Sequence, residues 1–139
     1  MPEKRSLLAT GLFAIAIAAI ALAADMPGVT ATEIKIGNTN PYSGPASGYS
    51  VIARLETAFF GMVNDQGGVA GRKINFISLD DGDSPPKTVE QVRRLIEEDQ
   101  VALLFNTLGT ATNSAIQRSV NQKKVPHLFL ASGADKWGD

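Results

Sequence analysis

The sequence predicts an α/β fold in which a doubly wound parallel sheet carries helices on both faces. The first observation is an alternation: between residues 33 and 132, short runs typical of strands and longer segments of helical period follow one another. The second is "VALLFNTL" (101–108), a continuous apolar run of the kind expected for a strand covered on both faces. Strands joined by helical crossovers pair in parallel, so these segments are expected to form one sheet.

The first strand and helix occupy residues 33–65. "EIKIGNT" (33–39) places Ile34 and Ile36 on either side of Lys35, the period of two that indicates a strand. Residues 50–65 have helical period, and the glycines of "NDQGG" are expected to end the helix. The side chains predicted to face the sheet are Ile52, Leu55, Phe59, Met62 and Val63.

The second strand and helix begin at residue 73. "KINFISLD" (73–80) is rich in β-branched and aromatic residues, which predicts a strand. Ser84, Pro85 and Pro86 are typical of a helix start. In the helix that follows, three side chains are expected to face the core and two the solvent, namely Val89, Val92 and Ile96 inward and Arg93 and Glu97 outward.

The remaining elements complete the alternation. The apolar run 101–108 predicts the third strand, and 109–124 predicts a weaker helix marked by Ala115, Ile116 and Val120. "PHLFLAS" (126–132) predicts the fourth strand. Each helix is expected to cross over the sheet and return the chain to a parallel neighbour.

The N-terminus differs in composition from the rest of the chain. Glu3, Lys4 and Arg5 precede "LLATGLFAIAIAAIALA", an uncharged apolar run that ends in small residues before Asp25. A charged start, an apolar centre and a small-residue end predict a secretory signal peptide over residues 1–24. The alternative is a retained membrane anchor, because the run approaches the roughly 18 to 20 residues that span a bilayer. Residues 25–32, "DMPGVTAT", lack periodicity and are expected to form a flexible mature N-terminus.

Charge and cysteine content exclude several kinds of function. The chain has 13 Lys and Arg against 14 Asp and Glu, so its net charge gives no reason to expect nucleic acid or an anionic membrane surface as a partner. It has no cysteine, which excludes disulfides, thiolate metal sites and a thiol nucleophile. The 139 residues suit one domain at most.

The loops after the predicted strands are the expected ligand site. In open α/β sheets, ligands bind beyond the carboxyl ends of the strands, which here means loops 38–49, 80–84, 106–112 and 131–137. Three of these loops are small, polar and rich in hydroxyl groups: "NPYSGPASGY", "NTLGTATN" and "ASGAD". The first of these loops therefore lies where a ligand is expected to bind.

Several motifs, in this order and spacing, resemble a known family. "IKIGNTNPYSGPASGYS", "MVNDQGGVAGRKINFISLDD", "LLFNTLGTATNSAI" and "VPHLFLASGAD" are similar to the first lobe of type I periplasmic solute-binding proteins, the branched-chain amino acid-binding proteins of ABC importers. The resemblance covers residues 33–139 and implies a partial N-terminal lobe in the periplasm, exported by the signal peptide. It also implies a membrane permease as the partner of the full-length protein, and no cofactor.

The resemblance also implies which residues bind the ligand. Family members hold an amino acid with backbone groups and hydroxyls of the loop after the third strand, here Gly109, Thr110, Ala111 and Thr112. They also use the loop after the fourth strand, here Ser132, Gly133 and Ala134. Tyr49 and Tyr42 match the aromatic side chains that the first loop lays against the ligand. Family members commonly have a Thr hydroxyl for the ammonium where this chain has Ala134, so an amino acid and a carboxylate without an amine both remain open as ligands.

Other chemistry is weakly supported by the sequence. Asp80, Asp81 and Asp83 match no calcium-loop spacing and are interpreted as an acidic turn rather than a metal site. Asp81 resembles a structural residue that the family keeps near its lobe surface. His127 is the only histidine and has no evident nucleophile partner, while "GGVAGRK" (67–73) precedes a strand, where a phosphate loop would follow one. The sequence therefore predicts a protein that is not an enzyme, with neither catalytic residues nor a metal.

Two alternatives to a transport role stay open. The same lobe occurs in receptors and regulators that sense a ligand without transporting it, and nothing in the sequence separates the two. The resemblance also ends after the fourth strand, before the second lobe that family members close over the ligand, so the chain is expected to hold half of a site. A truncated, non-functional fragment is the second alternative.

Overall fold

The computed structural model of the chain describes residues 26–137. The predicted signal peptide, residues 1–24, lies outside the described residues. Among the helices within 26–137, none has the length and apolarity needed to cross a membrane.

Within residues 26–137, four strands and three helices alternate, as predicted. The strands are β1 (Glu33–Asn40), β2 (Lys73–Asp80), β3 (Leu103–Phe105) and β4 (His127–Leu128). The helices are α1 (Ser50–Asp65), α2 (Pro85–Glu97) and α3 (Thr110–Gln122), and short 3-10 helices span Ser47–Tyr49 and Asp135–Trp137. The strands form one parallel sheet in the order β2-β1-β3-β4. The α/β parallel sheet predicted from the sequence is therefore confirmed.

The strand register brings the predicted ligand loops together. β1 and β2 pair from Glu33↔Lys73 to Asn40↔Asp80, so both strands end at the same level. β3 joins the other side of β1 through Ile36↔Leu103, and β4 joins β3 through Leu104↔His127. Because all four strands are parallel, the loops that follow them lie at one edge of the sheet.

Strands β3 and β4 are shorter than the apolar runs predicted. Asn106 and Phe129, directly after the ends of β3 and β4, have positive φ angles of 48° and 55°. A left-handed residue breaks the ladder, and it is uncommon for a bulky side chain such as Phe. Pairing resumes at one bridge, Leu108↔Ala131. The two breaks therefore separate the last part of each run from the regular sheet and shape the edge where the loops meet.

The hydrophobic core lies between the sheet and helices α2 and α3. Its members are all almost completely buried: Val92, Leu95, Val101, Leu104, Ile116 and Val120. The inward position predicted for Val92 is confirmed, and Ile116 and Val120, which mark the predicted helix 109–124, are buried as well. Val89 is 42% exposed, so its predicted inward position was wrong, and Leu95, which was not predicted, is fully buried instead. Ala115 is also exposed.

Helix α1 packs on the opposite face with a different side than predicted. Leu55, Phe59 and Met62 are 70%, 53% and 47% exposed. The prediction that they face the sheet was therefore wrong for three of the five residues. Ala53 is fully buried instead, and the Phe60 ring packs on Phe76 with their centroids 5.0 Å apart. Apolar residues occur on both sides of this helix, and helical period alone does not say which side meets the sheet.

The segment before β1 makes backbone hydrogen bonds to the sheet. The backbone N–H of Lys35 donates to the Gly28 carbonyl at 2.7 Å, and the N–H of Lys73 donates to the Thr32 carbonyl at 2.8 Å. Gly28 also lies so close to the backbone of residues 100–102 that a Cβ there would overlap it. Over residues 26–32, backbone hydrogen bonds therefore join the segment that was expected to be flexible to the sheet.

Candidate functional site

A pocket of about 360 Å³ lies at the carboxyl edge of the sheet. Its lining residues come from four segments: the start of α1, the end of the β3 run, the start of α3 and the loop after β4. They are Tyr49, Ile52, Leu108, Gly109, Thr110, Ala131, Ser132 and Gly133. Five of the eight predicted site residues line the pocket, namely Tyr49, Gly109, Thr110, Ser132 and Gly133.

The start of α3 forms one wall of this pocket. Gly109 precedes the helix with φ 104° and ψ 144°, and no side chain of the described residues caps the helix start. Its first turn also contains no acidic residue. The first backbone N–H groups of a helix have no partner inside the helix, and the helix dipole favours an anion beside them. The wall at Gly109 and Thr110 is therefore suited to accept a carboxylate.

A pair of hydroxyl groups joins the two loops that face each other across the pocket. Thr110 Oγ1 and Ser132 Oγ are 2.8 Å apart. The backbone N–H of Ala134 donates to Ser132 Oγ at 3.2 Å, which fixes the position of that hydroxyl. Hydroxyls can both donate and accept, so this pair can turn toward a carboxylate or toward an ammonium group.

Three predicted site residues do not line the pocket. The Thr112 side chain is fully buried, and its hydroxyl donates to the Leu108 carbonyl at 2.6 Å. Ala111 is exposed on the first turn of α3, and Ala134 is half-buried after the pocket loop. Of these three, Thr112 has an evident local role, because its hydrogen bond stabilises the turn that leads into α3.

The two tyrosines of the first loop lie in different surroundings. Tyr49 is 59% exposed and lines the pocket. Tyr42 does not line it: its hydroxyl donates to Ser78 Oγ at 2.7 Å, and the guanidinium of Arg54 lies 5.5 Å from its ring centroid. Tyr42 therefore contacts strand β2 and helix α1, while Tyr49 lies at the pocket surface.

Asp80 fastens the first loop to the end of β2. Its carboxylate accepts the Ser43 hydroxyl at 2.6 Å and the backbone N–H groups of Tyr42, Ser43 and Gly82 at 3.0, 3.2 and 3.0 Å. Lys87 forms an ion pair with it at 3.3 Å. These hydrogen bonds, above all the one from Ser43, hold the pKa of Asp80 well below its usual range.

Asp81 is completely buried, whereas the sequence placed it near the surface. Its two oxygens accept the backbone N–H of Asp83 at 3.0 Å and the Thr88 hydroxyl at 2.9 Å. Burial raises the pKa of this carboxyl above its ordinary value. The side chain joins the β2–α2 turn to helix α2, so the structural role predicted for Asp81 has a direct physical basis.

A buried polar network joins β4 to the segment that leads into α3, next to the pocket residue Leu108. Thr107 Oγ1 lies 2.5 Å from both Asn113 Oδ1 and His127 Nε2, and Asn113 donates to the Thr107 carbonyl at 2.9 Å. Burial lowers the pKa of His127 to about 4, so its ring is neutral at pH 7. His127 therefore links β4 to the start of α3.

Glu56 reaches the same region from helix α1. Its carboxylate accepts the side-chain amide of Asn106, and the amide of Asn38 donates to the Asn106 carbonyl at 3.0 Å. Burial raises the pKa of Glu56. These contacts hold Asn106 in its left-handed conformation at the end of β3. Sequence reasoning missed this network, because its members are far apart in the chain and match no local motif.

Sequence reasoning also missed three apolar lining residues. Leu108 and Ala131 line the pocket because they form the bridge that follows the two strand breaks. Ile52 lines it from α1, where the sequence had placed it on the sheet-facing side. Only the register of β3 and β4 brings Leu108 and Ala131 together, and that register is not readable from one sequence.

Comparison with known proteins identifies the family. The model of the family described as periplasmic binding protein matches residues 33–139. The chain belongs to this family. Leu/Ile/Val-binding protein homolog 7 of Brucella suis biovar 1 (strain 1330) is 32% identical to it over 130 residues, which is 92% of this chain and 31% of the relative. This periplasmic binding protein therefore spans about a third of the length of the curated relatives it matches.

Solved structures of the family agree with the fold. A possible leucine/isoleucine/valine-binding protein from Rhodopirellula baltica SH 1 has a TM-score of 0.71 and 27% identity, with coverage of 81% of this chain and 31% of that one. A solute binding protein of an ABC transporter from Rhodopseudomonas palustris BisB5, in complex with 3,4-dihydroxy benzoic acid, has a TM-score of 0.62 and 28% identity, with coverage of 74% and 28%. The described residues thus correspond to an incomplete first lobe of the type I periplasmic binding protein fold.

Proposed function

We propose that the chain is the first-lobe part of an extracytoplasmic solute-binding component of an ABC importer, and that it binds an amino acid of the branched-chain kind or a related small carboxylate. The observation that carries the proposal is the wall at Gly109 and Thr110, where an uncapped helix start and a hydroxyl pair line one pocket. Both halves of this wall suit a carboxylate. The relatives named for leucine, isoleucine and valine and the relative solved with a benzoic acid support the same class of ligand.

The proposed site is half of a complete one. Small-molecule pockets bury most of their ligand, whereas Tyr49 on this pocket is 59% exposed. This chain covers about a third of the length of its curated relatives, and in the proposal a second lobe of the full-length protein supplies the other wall. In the proposed division, residues 33–139 provide the partial N-terminal lobe, and residues 1–24 direct export to the periplasm and are then removed. The membrane permease of the transporter is the proposed partner of the full-length protein.

A threonine substitution tests the carboxylate assignment. Residues 33–139 of this chain would replace the matching part of the longer Brucella suis relative, and binding of leucine and 3,4-dihydroxybenzoate would be measured by calorimetry. A hydrogen bond to a charged group contributes about 1.5 to 3 kcal/mol. Thr110→Val should therefore weaken binding by roughly ten- to a hundredfold.

The matched control is the same substitution away from the pocket. Thr57 is exposed on α1, and its hydroxyl donates to the Ala53 carbonyl within the same helix at 2.7 Å. Thr57→Val should leave the affinity unchanged. Equal affinities of the Thr110→Val and Thr57→Val proteins would remove the carboxylate assignment.

A further inference from the structure

The pocket has uncharged walls, and a cation lies near one of them, because Lys136 is hydrogen-bonded through Ser114 to Thr110. None of the eight described lining side chains is acidic or basic. Lys136, three residues after Gly133, donates from Nζ to Ser114 Oγ at 2.7 Å. Ser114 in turn donates to the Thr110 carbonyl at 2.6 Å. The ammonium of Lys136 is thus two hydrogen bonds away from a pocket-lining residue.

Two contacts hold this ammonium in place. Besides the bond to Ser114, Lys136 Nζ lies 4.3 Å from the ring centroid of Trp137, a cation–π distance. Thr110 and Ser114 are four residues apart, so they share the side of α3 that faces the loop after β4. A lysine ammonium has three N–H donors, and Ser114 accepts one of them. The cation is therefore positioned beside the helix start and retains donors for a second acceptor.

The charges around the pocket favour an anion over a zwitterion. Lys136 and the positive end of the α3 dipole act in the same direction, and both repel an ammonium group. One acidic group opposes them at the helix start: Asp83 Oδ1 is 3.0 Å from the position that a Cβ would take at Gly109. Asp83 follows β2, whereas Lys136 follows β4, so the cation is on the side of Ser132 and Gly133. Ala134 offers no hydroxyl to an ammonium on that side.

We infer that Lys136 is a specificity-determining residue and that it selects carboxylates without an ammonium group over amino acids. This inference rests on the proposed function, because it concerns the same pocket, and it narrows the proposed ligand class. It assigns a role to the loop after β4 that goes beyond the hydroxyl of Ser132.

The test measures binding to the isotope-labelled chain by NMR, which detects weak affinities. The probes are 3,4-dihydroxybenzoate, its neutral amide and L-isoleucine, followed through the amide signals of Thr110, Ala111 and Gly133. In the parent chain, the benzoate should bind more tightly than isoleucine. Lys136→Met keeps the aliphatic part of the side chain and should weaken benzoate binding by about threefold to tenfold, as expected for a partly exposed charge contact.

Control variants separate charge from structure. Lys136→Met should leave binding of the neutral amide unchanged, Lys136→Arg should retain benzoate binding, and Lys124→Met, at the other end of α3, should change nothing. Unchanged benzoate binding in Lys136→Met, an equal loss for the amide in that variant, or tighter binding of isoleucine than of benzoate by the parent chain would each overturn the specificity role while leaving the pocket as the ligand site. If no probe shifts the Thr110 and Gly133 signals of the parent chain, the proposed function fails, and the role of Lys136 fails with it.

Discussion

Replacing Gly109 by alanine should strain the point where the sheet edge meets helix α3. Gly109 has φ 104° and ψ 144°, a conformation that L-residues rarely adopt and that costs about 1 to 3 kcal/mol. A Cβ there would overlap the Thr112 hydroxyl and force it away from the Leu108 carbonyl. Losing that hydrogen bond costs a further ~0.5 to 1.5 kcal/mol. We therefore expect Gly109→Ala to lower the free energy of unfolding by about 1.5 to 4.5 kcal/mol.

Urea unfolding followed by circular dichroism would measure this effect. A loss of that size is a large part of the ~5 to 15 kcal/mol that stabilises a typical domain. Gly133→Ala is the matched control, because Gly133 lines the same pocket but a Cβ there meets nothing within 4 Å. The control should stay within about 0.5 kcal/mol of the parent. If Gly109→Ala unfolds at the same urea concentration as Gly133→Ala, the strain argument is wrong.

Three further predictions concern pH, the surface of α1 and a helical glycine. Burial lowers the pKa of His127 from 6.5 to about 4, so between these pH values the unfolded chain binds more protons than the folded chain. The free energy of unfolding should therefore fall by up to ~3 kcal/mol as the pH drops from 6.5 to 4. His127→Gln should flatten this part of the pH profile in thermal melts, and an unchanged slope would contradict the argument. Leu55 and Phe59 are 70% and 53% exposed on α1, so Leu55→Glu with Phe59→Glu should reduce self-association in size-exclusion chromatography without lowering stability by more than ~1 kcal/mol. Gly61→Ala, in the interior of α1 with open space around it, should raise the free energy of unfolding by roughly 0.5 to 1 kcal/mol in urea titrations, and a loss would argue against a regular helix there.

The order of the elements could be predicted from the sequence because it depends on local patterns. Alternation in "EIKIGNT" and the prolines after Ser84 indicate a strand and a helix start without reference to the rest of the chain. Helix α2 indeed begins at Pro85. The sheet-facing side of α1 could not be predicted in the same way. Both Leu55 and Phe60 are apolar, and only the position of Phe76 and Phe105 on the sheet decides that Phe60 is the one that packs inward.

The ends of β3 and β4 depend on contacts between distant residues. Asn106 is held in a left-handed conformation by Glu56 and Asn38, which lie 50 and 68 residues before it. Such a contact leaves no periodic signal in the sequence. The same holds for the pocket: the loops at its edge follow from the parallel order of the strands, whereas Leu108 and Ala131 become lining residues only through their bridge.

The unequal lengths of the strand pairings have a consequence for local unfolding. β1 and β2 are joined over eight positions, whereas β4 contributes only His127 and Leu128 to the sheet. Amide hydrogen exchange should therefore be slowest in β1 and fastest near β4, because opening free energies follow the extent of local pairing and burial. The pocket is lined from both sides of the sheet's pairing: Tyr49 comes from the segment that follows the long strand β1, and Ser132 from the loop that follows the short strand β4. A bound ligand should accordingly slow amide exchange mainly at residues 127–133. The exchange rates of the β1 amides, which are expected to be slow without ligand, should stay unchanged.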